Sequence, residues 1–388
     1  MVAPLVNTVR DYAWGSRTAI PELTGVDPDG KPQAELWMGA HESAPSVLPS
    51  GETLYDRVSS RPAEVLGEET AEKFEGRFPF LAKILAAEQP LSIQAHPSRK
   101  QAIDGYGRDE AAGIPRDAAD RNYKDAWPKP EILIALGPFD ALVGFRPLAA
   151  SVALLEELGV LDELTDLLRN GKLQEAFTEF MGTDRDAIRP LVAALGEACR
   201  QYEGDTFALE TETLARLCED FPDDPGVLAA LLLNRVRLER FQAVYLPAGN
   251  VHAYLRGTGF EVMANSDNVL RGGLTRKHVD VPELVSVVDF EPLGSPVLEG
   301  TTVAPGVTQY ETGCEYFAVR RIELTDEPLV VPATGPRIVA CVDGVSVVGA
   351  EGTDDTVQLA AGRSAFLEGP EGPCTLRGSG TAFVVSAR

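Results

Sequence analysis

Leu91-Ser92-Ile93-Gln94-Ala95-His96-Pro97 sets a carboxamide and an imidazole two residues apart in apolar surroundings. On a strand, residues i and i+2 share a face, so Gln94 and His96 would point the same way. Burying both without partners costs on the order of a few kcal/mol, and a bound cation is one partner that removes the cost. Two further stretches offer ligands: Glu131, which opens the apolar run to Leu136, and His252, which follows the turn Pro247-Ala248-Gly249-Asn250. Gln94, His96, Glu131 and His252 would hold a divalent ion with a single negative charge. That leaves room for water or substrate, as in a catalytic rather than a structural site. These donors suit zinc, while iron, manganese and cobalt accept the same set. Of the four histidines, His41 and His278 lie in polar neighbourhoods and are read as packed or surface residues.

A second stretch, Glu261 to Lys277, groups an acid, small polar residues, Arg271 and the pair Gly272-Gly273. An arginine beside two glycines lets a guanidinium and the backbone approach an anion closely. Arg271, Arg276 and Lys277, with Lys124 and Lys129 elsewhere, are the cations an anionic small substrate would need. The chain as a whole opposes such a ligand, with 35 basic against 59 acidic residues and a net charge of −24. The same balance excludes a nucleic-acid surface and an acidic membrane as partners.

The elements that must position these groups follow from texture. At 388 residues, 44% of them hydrophobic, the chain exceeds one core and predicts several domains. Residues 1–146 read as short strands broken by Gly and Pro, with Asp104 to Trp127 as a loop or lid bearing short helical pieces. Residues 147–240 change to helical spacing, as in Val152, Leu155, Leu158 and Leu161, with Asp224-Pro225 as a helix start. Strand texture returns over 241–315, which joins 1–146 in one discontinuous catalytic unit, and 316–388 form a further β unit. Within the latter, Asp343-Gly344 between two apolar runs predicts a hairpin. The fold class expected is mainly β with an inserted α-helical domain. Five cysteines without paired spacing argue against zinc ribbons and disulfides and fit a reducing cytoplasm. No signal segment and no apolar run near ~20 residues are present, so a soluble protein is expected. With no sustained exposed apolar repeat, a monomer is the default.

At this point the sequence resembles the type I mannose-6-phosphate isomerases. The resemblance runs through Tyr12-Ala13-Trp14-Gly15, Ala34-Glu35-Leu36-Trp37-Met38-Gly39-Ala40-His41, Pro79-Phe80-Leu81, Leu91 to Pro97, Asn122-Tyr123-Lys124-Asp125, Lys129-Pro130-Glu131, Gly144-Phe145-Arg146-Pro147, Pro247 to Tyr254 and Ser266 to Arg271, in family order. It implies two cupin-like β-barrel or jelly-roll domains with helices inserted in the first, and one Zn2+ on the positions matching Gln94, His96, Glu131 and His252. Arg271 matches the family's active-site arginine, and Ser92, Lys129, Glu261 and Lys277 fall on positions lining its substrate pocket. Two departures stand out. Thr275-Arg276-Lys277 replaces a common Thr-Pro-Lys, and Trp127-Pro128 stands where Asn-His often precedes Lys-Pro-Glu.

The reaction implied is the interconversion of mannose 6-phosphate and fructose 6-phosphate. It requires ring opening, removal of the C2 proton and return of a proton at C1 through an enediol or enediolate. A base must lie within hydrogen-bond range, and Glu261 and Lys129 both qualify by type. Arg271 would steady the enediolate or the phosphate, and Lys277 would share the latter task. The resemblance leaves open whether the reaction feeds mannose into energy metabolism or supplies nucleotide-sugar synthesis, as for GDP-mannose. A sugar-binding cupin without turnover, an isomerase of another sugar and an oxygen-using cupin are the rival readings.

Overall fold

The computed structural model describes residues 1–332, 335–352 and 355–388. It is a mixture of helix and sheet rather than mainly β, because helices recur outside the expected insertion as well as within it. Two antiparallel sheets dominate. The first runs in the order Val297–Leu298, Ala243–Leu246, Glu131–Ala135, His252–Ala264, Phe80–Ala87, Glu35–Gly39 and Thr8–Arg10. The second is built mainly from Ser364–Leu367, Arg337–Ala350, Cys374–Ser386 and Ala318–Leu324.

The long strand His252–Ala264 organises the first sheet. Its first residues pair with Phe139–Phe145, while Gly257 to Ala264 pair with Phe80–Ala87 on one side, and Gly259 to Met263 with Glu131–Ala135 on the other. The register breaks between Tyr254 and Arg256, and Gly257 follows at φ +130°. A Cβ there would sit 2.7 Å from the Pro138 carbonyl oxygen. Glycine therefore lets the strand bend from one set of partners to the other.

Burial on both faces explains the nearly continuous apolar strands. Every residue of Phe80–Ala87 is buried. Phe80, Ala82, Ile84 and Ala86 join Ile338, Phe366, Phe383 and Val385 of the second sheet in one core. Leu85 and Ala87 instead face Leu133, Ala135, Val244 and Leu246 inside the first sheet. Phe260 and Phe383 stack across the two sheets with centroids 4.5 Å apart and planes at 11°.

Several expected boundaries shift. The helical segment runs from Leu148 to Leu231 and stops short of 240, because Leu233–Leu238 returns as a strand against Phe139–Phe145. Its first helix ends at Gly159 in the left-handed region, so Leu161 starts the next helix instead of extending the first. The helical core, including Leu154, Leu168, Leu195 and Leu214, is continuous with Ile93, Phe145 and Leu270 of the first sheet. Val2–Leu5 pairs with Ser364–Leu367, and Thr301–Ala304 and Val307–Tyr310 also join the second sheet. Local texture could not show this, since strand membership is set by long-range pairing.

Two local expectations are corrected. Asp104 to Ala111 is not loop but the continuation of a 13-residue helix, Arg99–Ala111, whose Ser98 and Gln101 form a reciprocal capping box. Gly105 lies inside it because the Tyr123 ring packs where a Cβ would stand, at 2.3 Å. Asp343-Gly344 is not a hairpin turn. Arg337–Ala350 is one strand with a register shift between Cys341 and Asp343, and Gly344 sits at φ +73° opposite Gly380. The partner strand continues past the irregularity on both sides, so the chain bends there instead of reversing.

Phe260→Ala and Phe383→Ala are each expected to destabilise the protein by about 3–5 kcal/mol. A double-mutant cycle in urea should return a coupling of roughly 0.5–1.5 kcal/mol; additive effects would mean that the stack does not join the sheets energetically.

Candidate metal centre and its cavity

Strand register brings the candidates together. His252 lies opposite Gln94 and Val143, and Gln94 lies opposite Arg271. Farther along His252–Ala264, Glu261 lies opposite Lys83 and Met263 opposite Glu131. His96 does not share a strand with Gln94, since that strand covers only Gln94–Ala95. His96 is buried and Gln94 half-buried. Gln94 instead borders the cavity described below, with no side-chain hydrogen bond among the described residues.

Nitrogen and oxygen atoms of His96, Glu131 and His252 lie within 4.8 Å of one another, and all three residues are buried. His96 Nε2 is 3.4 Å from Glu131 Oε1, and His252 Nε2 is 3.4 Å from Glu131 Oε2. The other ring nitrogens fix the tautomers. His96 Nδ1 is 2.7 Å from the Asn268 carbonyl oxygen, and His252 Nδ1 is 3.1 Å from that of Asn250. A carbonyl only accepts, so each Nδ1 carries the proton and each Nε2 presents a lone pair. Two lone pairs thus face one carboxylate with no donor between them, and both Nε2 atoms and Glu131 Oε2 are buried without a hydrogen-bond partner. A cation satisfies all three, so the residues fit a metal ion.

Charge around this trio is arranged in pairs. Lys129 Nζ lies 2.8 Å from Glu131 Oε1. Lys83 Nζ lies 3.1 Å from Glu261 Oε2 and 3.5 Å from Glu35 Oε1, while Trp37 Nε1 donates to Glu35 Oε2 at 2.7 Å. Burial works against ionised Glu131, but the Lys129 ammonium beside it outweighs this and holds the carboxyl well below its usual range. Burial also pushes the His96 imidazole down to about 4 against the pull of Glu131, so the ring is neutral at pH 7. The Glu261 carboxyl is raised, because burial and its carboxylate neighbours exceed the help from Lys83. Lys83 loses to burial and gains more from Glu35, Glu261 and Glu131, which keeps it protonated.

Beside the trio opens a cavity of about 420 Å³, bordered by Ser92, Gln94, Lys129, Arg271 and Lys277, with Glu35 and Lys83 on its floor. Glu261 is buried at 2% exposure behind this wall and reaches it through Lys83. Arg271 and Lys277 have no ion-pair partner among the described residues. The expected cation group is only partly formed: Arg276 turns away to Asp223 at 3.2 Å, and Lys124 Nζ donates to the Arg116 carbonyl.

The Ser-Asp-Asn motif acts as a clamp. Asn268 is fully buried, accepts from the Lys124 amide at 2.7 Å and donates to the Asp125 and Trp127 carbonyls at 2.8 Å. It thereby ties the segment leading to Lys129 and Glu131 to the residue whose carbonyl orients His96. Sequence reasoning overlooked Lys83 and Glu35. The available signal was a single lysine inside the apolar run Phe80 to Ala87, because a lone buried ammonium requires carboxylate partners on neighbouring strands. His41 is packed, with Nε2 3.2 Å from Asp267 Oδ1, and His278 is exposed.

With this geometry in place, comparison with known proteins is informative. Residues 2–148 match the family model for the phosphomannose isomerase type I catalytic domain, and 306–387 match that for the mannose-6-phosphate isomerase cupin domain. The mannose-6-phosphate isomerase of Escherichia coli K12 is 38% identical over 391 aligned positions, covering 97% of each chain. A crystal structure of a point mutant of phosphomannose isomerase from Salmonella typhimurium superposes with a TM-score of 0.92 at 36% identity, covering 100% of this chain and 99% of that one. A crystal structure of mannose 6-phosphate isomerase bound with zinc and yttrium gives the same values.

Zn2+ added to metal-free protein at a hundredfold excess over its dissociation constant should stabilise the fold by about 2.7 kcal/mol. The shift is read as a rise in Tm, and it should vanish in Glu131→Gln; a full shift in that variant would put the ion elsewhere.

Proposed function

This chain belongs to the type I phosphomannose isomerase family and is an isomerase of that kind, and on that premise we propose that it interconverts mannose 6-phosphate and fructose 6-phosphate through an enediol or enediolate, with one Zn2+ per chain. The observation that carries the reading is the convergence of two imidazole lone pairs and one carboxylate at the edge of a cavity holding two unpaired cations. His96, Glu131 and His252 would hold the ion, with Gln94 as fourth ligand. When bound, zinc supplies Lewis-acid stabilisation of negative charge developing on the substrate oxygens.

The protein's own groups supply the rest. Arg271 and Lys277 bind the phosphate and orient the sugar, and the Ser92 hydroxyl adds a hydrogen bond at the cavity wall. Of the two base candidates, Lys129 borders the cavity and Glu261 lies behind it against Lys83; the C2-to-C1 proton transfer is assigned to Glu261 on its raised carboxyl, with Lys83 as the group between it and the substrate. Lys83 Nζ holds Glu261 Oε2 at 3.1 Å, and the buried Tyr254 hydroxyl also faces this carboxylate. Lys129, fixed by Glu131, presents an ammonium to the oxygens that gain charge.

The architecture proposed for this chemistry is a pair of cupin barrels with the helices from Leu148 to Leu231 as an insertion in the first. Helix–sheet continuity through Ile93, Phe145 and Leu270 supports treating the insertion as part of the catalytic unit. Five free, buried cysteines support work in a reducing cytoplasm. Among the described residues no helix is long and apolar enough to cross a membrane.

Chelation should abolish turnover of mannose 6-phosphate and Zn2+ should restore it, whereas His252→Ala should stay inactive after zinc is added. If the fully metallated protein fails to turn over the substrate, the proposed reaction is wrong. Because Glu261 must be ionised to accept a proton and its carboxyl is raised, kcat/KM should fall as pH drops through a value above the ordinary 4.5. Glu261→Gln should lose about 10²–10⁴ in kcat; wild-type kcat in that variant would move the base to Lys129.

A further inference from the structure

The loop from Arg271 to Lys277 joins the two cations assigned above to the phosphate, and its backbone is held in an unfavourable shape. Gly273 sits at φ +107° and Leu274 at φ +53°, a region that residues with a Cβ seldom occupy. Such a conformation persists only where surrounding contacts over-determine it. One side of the loop is bonded to the sheet: the Gly272 amide donates to the Ile93 carbonyl at 2.7 Å, and the Ile93 amide donates to the Gly273 carbonyl at 3.0 Å. The other side is held from the helical segment.

Asp224 is 2% exposed. Its Oδ1 accepts from the Gly226 amide at 2.8 Å and from the Leu274 amide at 3.1 Å, and its Oδ2 accepts from the Thr275 amide at 3.1 Å. One carboxylate therefore accepts from the first amide of the helix Gly226–Leu231 and grips the loop at two successive residues. The backbones approach so closely that a Cβ on Gly273 would lie 2.4 Å from Gly226 Cα. Arg185 donates to the Thr275 carbonyl at 3.3 Å and pairs with Asp223. Arg276 pairs with the same Asp223 at 3.2 Å.

We propose that Asp224 is a positioning residue for the phosphate-binding loop, locking the backbone between Arg271 and Lys277 from the helical segment, with Asp223 and Arg276 as a second clasp. The inference rests on the reading that Arg271 and Lys277 bind the phosphate. It gives the inserted helices a part in substrate binding beyond covering the sheet. Neither Asp223 nor Asp224 borders the cavity, so both act through the loop.

The test uses zinc-loaded full-length enzyme. Asp224→Ala should raise KM for mannose 6-phosphate about tenfold with kcat within about twofold, because binding geometry rather than proton transfer is disturbed. Asp224→Asn keeps the Oδ1 acceptor for the Gly226 and Leu274 amides but sets an NH2 against the Thr275 amide, so it should recover only part of the loss. Amide hydrogen exchange, which needs no turnover, should speed up at Leu274 and Thr275 in Asp224→Ala. A loss confined to kcat, or unchanged exchange at those amides, overturns the proposal. If Asp224→Ala does not fold, the exposed Arg276→Ala serves: a KM rise of about threefold with faster exchange over 273–277 supports the latch, and no change in either refutes it. Lys277→Ala separates the two readings. An unchanged KM in that variant removes the phosphate assignment, and a raised KM there beside an unaffected Asp224→Ala removes the latch alone.

Discussion

Charge neutrality inside a sheet is the constraint on which this structure depends. Glu35, Glu131 and Glu261 are buried against Lys83 and Lys129, so three carboxylates meet two ammoniums and a single negative charge remains among these five groups. An uncompensated buried ion costs several kcal/mol even after relaxation. Pair by pair, the surplus falls on Glu35 and Glu261, which share Lys83, while Glu131 is met by Lys129 and also faces the bare nitrogens of His96 and His252. A divalent cation would turn the surplus into one positive charge, the sign that an anionic substrate needs in a protein of net charge −24. The acidic surface and the cationic cavity are thus compatible, because charge is counted locally where water is scarce.

The sheets make this possible by covering each other. Alternate residues of Phe80–Ala87 face the second sheet, and the others face the interior of the first. Lys83 belongs to the inward set, which is why one lysine appears among seven apolar neighbours. Without the second sheet, Phe80, Ala82, Ile84 and Ala86 would be wet, and the strand would need polar residues at those positions. Among the described residues, the C-terminal unit contributes none to the metal trio or its cavity. It contributes the dry outer face that lets the inner face carry charges in fixed geometry.

Loops deliver what the strands cannot. Asn268 binds the segment before Lys129 and orients His96 through its own carbonyl, so ligand and cavity wall share one support. Asp224 does the same for the cation-bearing loop from the opposite side. In both cases a short buried polar side chain satisfies several backbone groups at once, which is cheaper in entropy than ordering a long side chain for each contact.

Much of the site was legible from residue type and spacing. His96, Glu131, His252, Arg271, Lys129 and Lys277 announce themselves because ligands and cations stand out against apolar or glycine-rich flanks, and helical periodicity marked the segment after Pro147. What the chain alone left undecided was pairing. Local texture could not assign Val2–Leu5 or Thr301–Ala304 to the C-terminal sheet, nor show that Asp343-Gly344 bends within a strand whose partner runs past it. Gln94 was expected to share a strand face with His96, and the strand ended one residue too soon. Lys83 and Glu35 read as interruptions in apolar runs until register set Lys83 opposite Glu261. Composition and motif determined which chemical groups were available, since those are properties of residues in sequence. Tertiary structure decided which of them neutralise one another, since Coulomb and hydrogen-bond energies depend on distances across strands that no local pattern encodes.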